Sequence, residues 1–219
     1  IFTSESKWEA FKIIISAGAI ALFIRTFFFQ PFTIPSGSMI PTLLIGDFIF
    51  VSQYKYGYSR HSLPFSLPVI KSRIFGKKPK RGDVVVFKTP NDNRTDYVKT
   101  LIGLPGDRIQ INKGLLYIND VPVKRDNILN SSFQEHNKYL NEYDFVEILP
   151  NGKKHIIREL KGDKSSTDNT IVYTVPENNF FLMGDNRDNS IDSRVLNYVG
   201  FVPFENLVGK AEIIFFSLD

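Results

Sequence analysis

Apolar residues divide this chain into a membrane-like N-terminus and a β-patterned remainder. Residues 13–24 carry no charge and read Ile-Ile-Ile-Ser-Ala-Gly-Ala-Ile-Ala-Leu-Phe-Ile. That core is short for a bilayer span, which needs ~20 predominantly apolar residues. Taken over residues 8–29 it is long enough, because Lys12 and Arg25 can snorkel and Trp8 can sit at an interface. The rival readings are a cleavable leader and a buried core helix. A leader should be followed by small residues, whereas Arg25-Thr26-Phe27-Phe28-Phe29-Gln30 follows here, so an anchor is expected. The first residue is not Met, which leaves room for upstream residues, including another span.

Past Pro31 the period shortens. Runs rich in Val, Ile and Phe at residues 48–51, 84–87, 97–102, 109–111, 115–118, 180–183 and 212–216 are separated by Gly, Pro, Asn and Asp, which predicts strands. Asn112-Lys113-Gly114 and Asn119-Asp120 read as tight turns of a meander. Residues 126–168 are more polar. Within them, residues 143–149 and 154–160 flank Pro150-Asn151-Gly152 and predict a hairpin with a primed turn. The expected class is mainly β and antiparallel, with an N-terminal transmembrane helix. The expected division is an anchor segment at 1–29, a β domain made of 30–125 and 169–219, and a small inserted β subdomain at 126–168. Residues 54–80, with Pro64, Pro68 and Pro79, form a second, looser insertion.

Composition narrows the function classes. At 219 residues, 42% hydrophobic and 23% charged, the chain can bury a sizeable core and is not a disordered sequence. The net charge of +4 is spread along it; the cluster Lys77-Lys78-Pro79-Lys80-Arg81 reads as a solvated loop, so nucleic acid is not an expected partner. With no cysteine there is no disulfide, thiol nucleophile or thiolate metal site. His61, His136 and His155 lie far apart in loop-like or polar segments without metal-ligand spacing. A Ser-His-Asp triad is therefore disfavoured, and lysine is the natural base left for a nucleophilic serine. Neither metal nor cofactor is expected.

Three motifs carry candidate chemistry. The first is Pro35-Ser36-Gly37-Ser38-Met39-Ile40-Pro41-Thr42, a serine-bearing turn. The second runs from Arg81-Gly82-Asp83-Val84-Val85-Val86-Phe87 to Tyr97-Val98-Lys99-Thr100-Leu101-Ile102-Gly103-Leu104-Pro105-Gly106-Asp107. On a strand, Lys99 shares a face with Tyr97 and Leu101, and an amine held on an apolar face becomes easier to deprotonate. The third is Met183-Gly184-Asp185-Asn186-Arg187-Asp188-Asn189-Ser190-Ile191-Asp192-Ser193-Arg194. Its aspartates lack the alternate-position spacing of an EF-hand loop, and Arg187 interrupts them. Two arginines among three aspartates read instead as an ion-paired loop that can rigidify a site.

Together these motifs, in this order, resemble the bacterial type I signal peptidases, membrane-bound Ser/Lys serine endopeptidases. The resemblance runs from about Arg25 to Ser217 and takes in Phe29-Gln30-Pro31-Phe32 and Gly46-Asp47. It implies a signal-peptidase-like β fold and hydrolytic removal of signal peptides from exported precursors. Ser38 would be the nucleophile and Lys99 its general base. Ser36 would join the Ser38 N–H in the oxyanion hole, and Ser190 would hydrogen-bond and orient the lysine. Asp192 and Arg194 would form a structural ion pair beneath the site. Small substrate pockets would lie near Ile34, Pro35 and Met39, with the peptide adding as a strand.

The implied partners are precursor proteins and membrane lipid. The implied location is the bacterial cytoplasmic (inner) membrane, single-pass, with the β domain on the outer, periplasmic side. One position departs from the family: arginine commonly follows the lysine, and Thr100 stands here. That leaves Asp185 to pair elsewhere, with Arg187 the nearest candidate. Two alternatives stay open. A Ser/Lys protease of another specificity, such as a self-cleaving repressor, should carry a DNA-binding domain where this chain has an apolar segment. A non-catalytic, membrane-tethered β protein that binds exported chains has no use for the complete set of Ser36, Ser38, Lys99 and Ser190. Preferred precursors, oligomeric state and the purpose of the two insertions are not readable.

Overall fold

The computed structural model describes residues 4–63, 66, 70–128, 143–161 and 164–218. The apolar N-terminus forms α1 (Ser4–Phe27), of which Lys7–Phe27 is long and apolar enough to cross a bilayer, with only 6% of that stretch packed inside the protein. Lys12 curls back so that its amine lies 5.5 Å from the centre of the Trp8 ring, a cation–π contact suited to an interface.

The remainder is β. In chain order the strands are β1 (Phe29–Thr33), β2 (Asp47–Ser52), β3 (Val84–Lys88), β4 (Asp96–Gly103), β5 (Arg108–Asn112), β6 (Leu115–Ile118), β7 (Val121–Pro122) and β8 (Lys124–Asn127). They continue with β9 (Asp144–Ile148), β10 (Lys154–Arg158), β11 (Tyr173–Thr174), β12 (Asn179–Met183), β13 (Val202–Pro203) and β14 (Leu207–Ser217). One seven-stranded sheet has the order β1-β2-β14-β3-β4-β12-β13, a four-stranded sheet the order β11-β5-β6-β7, and a three-stranded sheet the order β10-β9-β8. Among the described residues every strand pairing is antiparallel, apart from one isolated parallel bridge between Arg158 and Asn186.

Each run expected to be a strand is one, usually with longer bounds. β14 starts well before residue 212 because its ladder carries Gly209 past β2 at close quarters: a Cβ there would lie 2.6 Å from the Ser52 carbonyl oxygen. Alternation sorts the core. Val85 and Phe87 of β3 join Leu101 and Leu182 on one face, while Val86 joins Ile34, Met39, Ile49 and Val51 on the other. The meander packs Ile109, Leu116 and Ile118 against Ile102 and Phe181.

Both meander turns form as expected. Lys113 and Gly114 (φ 50° and 71°) and Asn119 and Asp120 (55° and 65°) are left-handed at both central positions, the primed geometry that follows sheet twist. The third turn differs. Leu149 donates its N–H to the Lys153 carbonyl, and between them only Gly152 (φ 80°) is left-handed. Pro150 cannot take a positive φ, so a loop closed by a left-handed glycine replaces the expected primed turn.

The hairpin β9–β10 gains a third strand, β8, which begins at Lys124, ahead of the expected boundary at 126. The described part of residues 54–80 is fastened by one guanidinium. Arg73 donates to the carbonyls of Gly57 (3.0 Å), Phe204 (2.7 Å) and Leu207 (2.6 Å) and lies 4.5 Å from the centre of the Phe204 ring. Pro64 and Pro68 lie outside the described residues.

Candidate active site

Ser38 sits in the middle of a single 3-10 turn, Gly37–Met39, that leaves the extended backbone of Ser36. The turn is pinned because the next side chain, Met39, is buried with Ile34 in the core while Ser38 faces a cleft. Across that cleft Lys99, on β4, donates to Ser38 Oγ at 2.7 Å. The amine is buried, lies 5.2 Å from the Tyr97 ring centre and shares a strand face with Leu101. Ser36 Oγ is 3.4 Å from Ser38 Oγ, at the exposed rim.

Burial sets the lysine's chemistry. Loss of solvation lowers the Lys99 pKa to about 8, against the attraction of Asp192 and Asp185, while Arg194 helps to lower it. Roughly a tenth of such amines are neutral at pH 7, compared with less than one in a thousand for a free lysine.

The third motif is the platform under this pair. Asp192 takes Arg194 in a fork, Oδ1 from Nε and Oδ2 from Nη2, both at 2.9 Å, and accepts the Gly184 N–H at 2.9 Å. Burial alone would raise the Asp192 carboxyl, but Arg194 and the Gly184 amide hold it below its ordinary range. Gly184 is needed for its absent side chain: a Cβ would lie 2.6 Å from the Ser38 carbonyl oxygen and collide with Ser190. Asn186 then clamps the nucleophile's backbone, its N–H on the Ser38 carbonyl (3.1 Å) and its Nδ2 on the Gly37 carbonyl (2.9 Å).

Several expectations change here. Ser190 borders the cleft beside Ser38 and Lys99, but its Oγ is buried without a hydrogen-bond partner, so the expected bond to the lysine is not formed. Arg187 does not pair with Asp185; it forms a fully buried fork with Glu147 of β9, one arm at 2.9 Å. Asp185 is held by hydroxyls, Thr100 at 2.7 Å and Thr42 at 2.5 Å, and by His155, whose Nδ1 lies 3.4 Å from Oδ1. Thr100 thus does face away from Lys99, toward Asp185. His155 is not in a polar loop but on β10, its side chain only 9% exposed, where it also meets Glu147 at 3.1 Å.

Asp188 joins neither of the other motif aspartates. It meets Glu159 and Asp168, with ligand atoms within 4.8 Å of one another, a geometry open to a cation. The Lys161 amide already engages Asp188, the Ser165 amide engages Asp168, and burial pushes the Glu159 carboxyl up to about 7, so a shared proton serves equally well. Asn186 lay in a motif already noted. Glu147 and His155 gave only a weak signal, an acid and an imidazole on opposite strands of one hairpin, with nothing to connect them to Asp185.

The cleft, of about 830 Å³, is bordered by Ile34, Pro35 and Met39, and by Lys161 and Lys164 from the polar insertion. Its β4 wall has an open edge: β12 pairs with β4 only as far as Thr100, which leaves residues 96–99 without a strand on that side among the described residues.

Beyond the cleft, Phe27, Phe28 and Phe29 at the end of α1 lie exposed, as do Ile213, Ile214, Phe215 and Phe216 of β14. Phe50 stacks on Phe215 at 4.1 Å and meets Phe29 at 6.2 Å, joining the two groups into one aromatic surface. Phe32 leaves this patch, half-buried against the core beneath Ser38.

A serine hydroxyl hydrogen-bonded to a buried lysine, on a mainly antiparallel β body behind one helix long and apolar enough to cross a bilayer, is an arrangement suited to serine hydrolase chemistry with lysine as base. The chain belongs to the family described as signal peptidase, peptidase S26, whose model matches residues 7–216. It is 45% identical over 222 residues to a signal peptidase I of Rickettsia canadensis (strain McKiel), covering 98% of this chain and 81% of the relative. It is 45% identical over 224 residues to that of Rickettsia rickettsii (strain Sheila Smith), covering 98% and 80%. The crystal structure of a signal peptidase I from Enterococcus faecalis V583 is 30% identical, covers 61% of this chain and 97% of its own, and superposes with a TM-score of 0.36.

Proposed function

We propose that this enzyme, a serine endopeptidase of the signal peptidase family, removes signal peptides from exported precursors with Ser38 as nucleophile and Lys99 as base. The observation that carries this reading is the 2.7 Å hydrogen bond from a buried, pKa-lowered amine to a serine hydroxyl at the floor of an open cleft. Neutral Lys99 takes the Ser38 proton as Oγ attacks the scissile carbonyl carbon. The Ser38 N–H and Ser36 hydroxyl stabilise the resulting oxyanion, worth ~3 kcal/mol per well-placed donor. Collapse expels the new N-terminal amine, which takes the proton back from Lys99, and leaves the signal peptide as an ester on Ser38. Water, deprotonated by Lys99, then hydrolyses that ester and frees the serine.

The open edge of residues 96–99, on the side away from β3, suits a substrate that adds as a strand, with small side chains directed at Ile34, Pro35 and Met39. The aromatic surface formed by Phe29, Phe50 and Phe215 beside α1 lies in the lipid interface. That brings the cleft to the membrane face where the precursor is tethered. The body stands on the outer side of the bacterial inner membrane, with the inserted β subdomain expected at 126–168, to which β9, β10 and the end of β8 belong, against the site.

Full-length protein in detergent is to be incubated with a signal-bearing precursor and the product's new N-terminus sequenced. Ser38→Ala and Lys99→Ala should each lower cleavage by on the order of 10³ or more while the far-ultraviolet spectrum stays unchanged. Activity of either variant within tenfold of wild type would remove the dyad.

A further inference from the structure

Lys99 is not the only buried cation at this site. Glu147 and Asp185 are both fully buried carboxylates, and Arg187 can neutralise only one of them, since its fork is spent on Glu147. Asp185 keeps two hydroxyl donors, from Thr100 and Thr42, which satisfy its lone pairs without cancelling its charge. His155 stands between the two acids: Nε2 is hydrogen-bonded to Glu147 at 3.1 Å, and Nδ1 lies 3.4 Å from Asp185, at ion-pair distance but outside hydrogen-bond geometry. A neutral imidazole placed there would turn a bare nitrogen lone pair on one of the two carboxylates; only the protonated ring carries an N–H on both sides. One carboxylate is enough to orient a ring; two make the ring a charge.

We propose, on the reading that Ser38 and Lys99 are the dyad, that His155 is a positioning residue: as an imidazolium between Glu147 and Asp185 it cancels the Asp185 charge and so leaves the Lys99 amine free to lose its proton. The charged groups around the ring are accounted for. β9 contributes Glu147, the loop after β12 contributes Asp185 and Arg187, and β4 contributes Lys99, on the face opposite Thr100. On the ring's own hairpin, Lys153 is directed to the Gly82 carbonyl and to Asp83, 3.8 Å away. Burial by itself would discharge His155, but the neighbouring carboxylates of Asp185 and Glu147 overcome it and raise the ring to about 9, so it is charged where the enzyme works. Asp185 in turn is among the groups that pull a proton onto Lys99. Two buried cations and two buried anions balance. With His155 neutral, the excess negative charge falls on the carboxylate that Lys99 feels.

The test is the pH dependence of kcat/KM for peptide cleavage by full-length protein in detergent. His155→Gln keeps a polar side chain of similar length and removes the charge. Its rising limb should move up by about one pH unit, which costs roughly tenfold at pH 7 and little at a pH above both limbs. Adding Asp185→Asn should move the limb back toward its wild-type place. A uniform loss at all pH values, with the limb unmoved, would show a purely structural role and overturn the proposal. Should His155→Gln not fold, the nitrogen-15 shifts of the wild-type ring decide. An imidazolium at pH 7.5 supports the proposal and a neutral ring ends it, whatever the activity of Ser38→Ala says about the dyad.

Discussion

At the scale of single residues, the same physical term, desolvation, works in opposite directions on neighbours. Lys99 is buried with a hydroxyl as its hydrogen-bond partner and its acids farther off, so its proton is loosened to about 8; His155 is packed between two acids, so its proton is held to about 9. The first value predicts a rate profile. Because the neutral amine is the active form, kcat/KM should rise with pH through about 8 and level off above it. A flat profile between pH 6 and 10, with chemistry rate-limiting, would exclude Lys99 as base. Ser190 offers a second test. Its buried hydroxyl has no partner in the free enzyme, so Ser190→Ala should leave the melting temperature within about 2 °C of wild type. If the hydroxyl engages Lys99 once substrate fills the cleft, kcat should fall by on the order of tenfold or more. An unchanged kcat would make Ser190 a wall of the cleft and nothing more.

Elements carry the next level of organisation. β3, β4 and β12 hold Lys99, the turn at Gly37–Met39 holds Ser38, and the loop 184–194 brings the two together through Gly184 and Asn186. The inserted hairpin is tied to that loop, because the Arg158 N–H donates to the Asp185 carbonyl and Glu147 holds Arg187. These ties are titratable. The raised His155 contributes stability that is complete below its ordinary value near 6.5 and is lost as pH rises through about 9. For Glu147, burial raises the carboxyl but Arg187 and His155 depress it further, so its contribution is present above about 4.5 and is lost as pH falls through the folded value. The difference in melting temperature between wild type and His155→Gln in detergent should therefore stay constant between about pH 4.5 and 6.5, a window in which the raised Glu159 carboxyl acts on both proteins alike. From there to pH 8, the wild-type melting temperature should fall relative to His155→Gln by on the order of several °C. Lys99 acts with the opposite sign only above about 8, outside this window. Parallel curves for the two proteins would mean that His155 is not charged in the fold.

The whole molecule joins a bilayer-length helix to a cleft by a short aromatic path. Tyr58 donates to the Phe27 carbonyl at 2.7 Å and Gln53 Nε2 to Gln30 at 2.7 Å, so the end of α1 is fixed against the body. Removal of residues 1–25 should release much of the protein from membranes yet leave peptide cleavage intact, because every proposed catalytic group lies downstream. The truncated protein should still float with vesicles through Phe27–Phe29 and residues 213–216, and detergent or phospholipid should raise its activity. Acidic replacements at Phe215 and Phe216 should abolish that flotation. A full-length chain that stays soluble without detergent would refute the anchor. Loss of all peptide cleavage on truncation, with the fold intact, would refute the modular arrangement.

Periodicity alone determined the helix, the seven principal strands and two left-handed turns, because each is decided by side-chain patterns or φ preferences within a few residues. The serine and the lysine were likewise readable, from residue order and the absence of any thiol or triad. Partners were decided elsewhere. Arg187 prefers Glu147 over its neighbour Asp185, and Asp185 takes His155 from an insertion that looked unrelated to the site, because buried charges pair by who is packed beside them and not by who is near in sequence. The apolar end of β14 was legible as a strand but not as a surface, since Ile213 to Phe216 fill both faces and only the fold shows that neither face is covered. Local residue types determined which chemistry was available to this chain; only the tertiary structure, by fixing which groups lose water together, decided which of them would hold or release a proton.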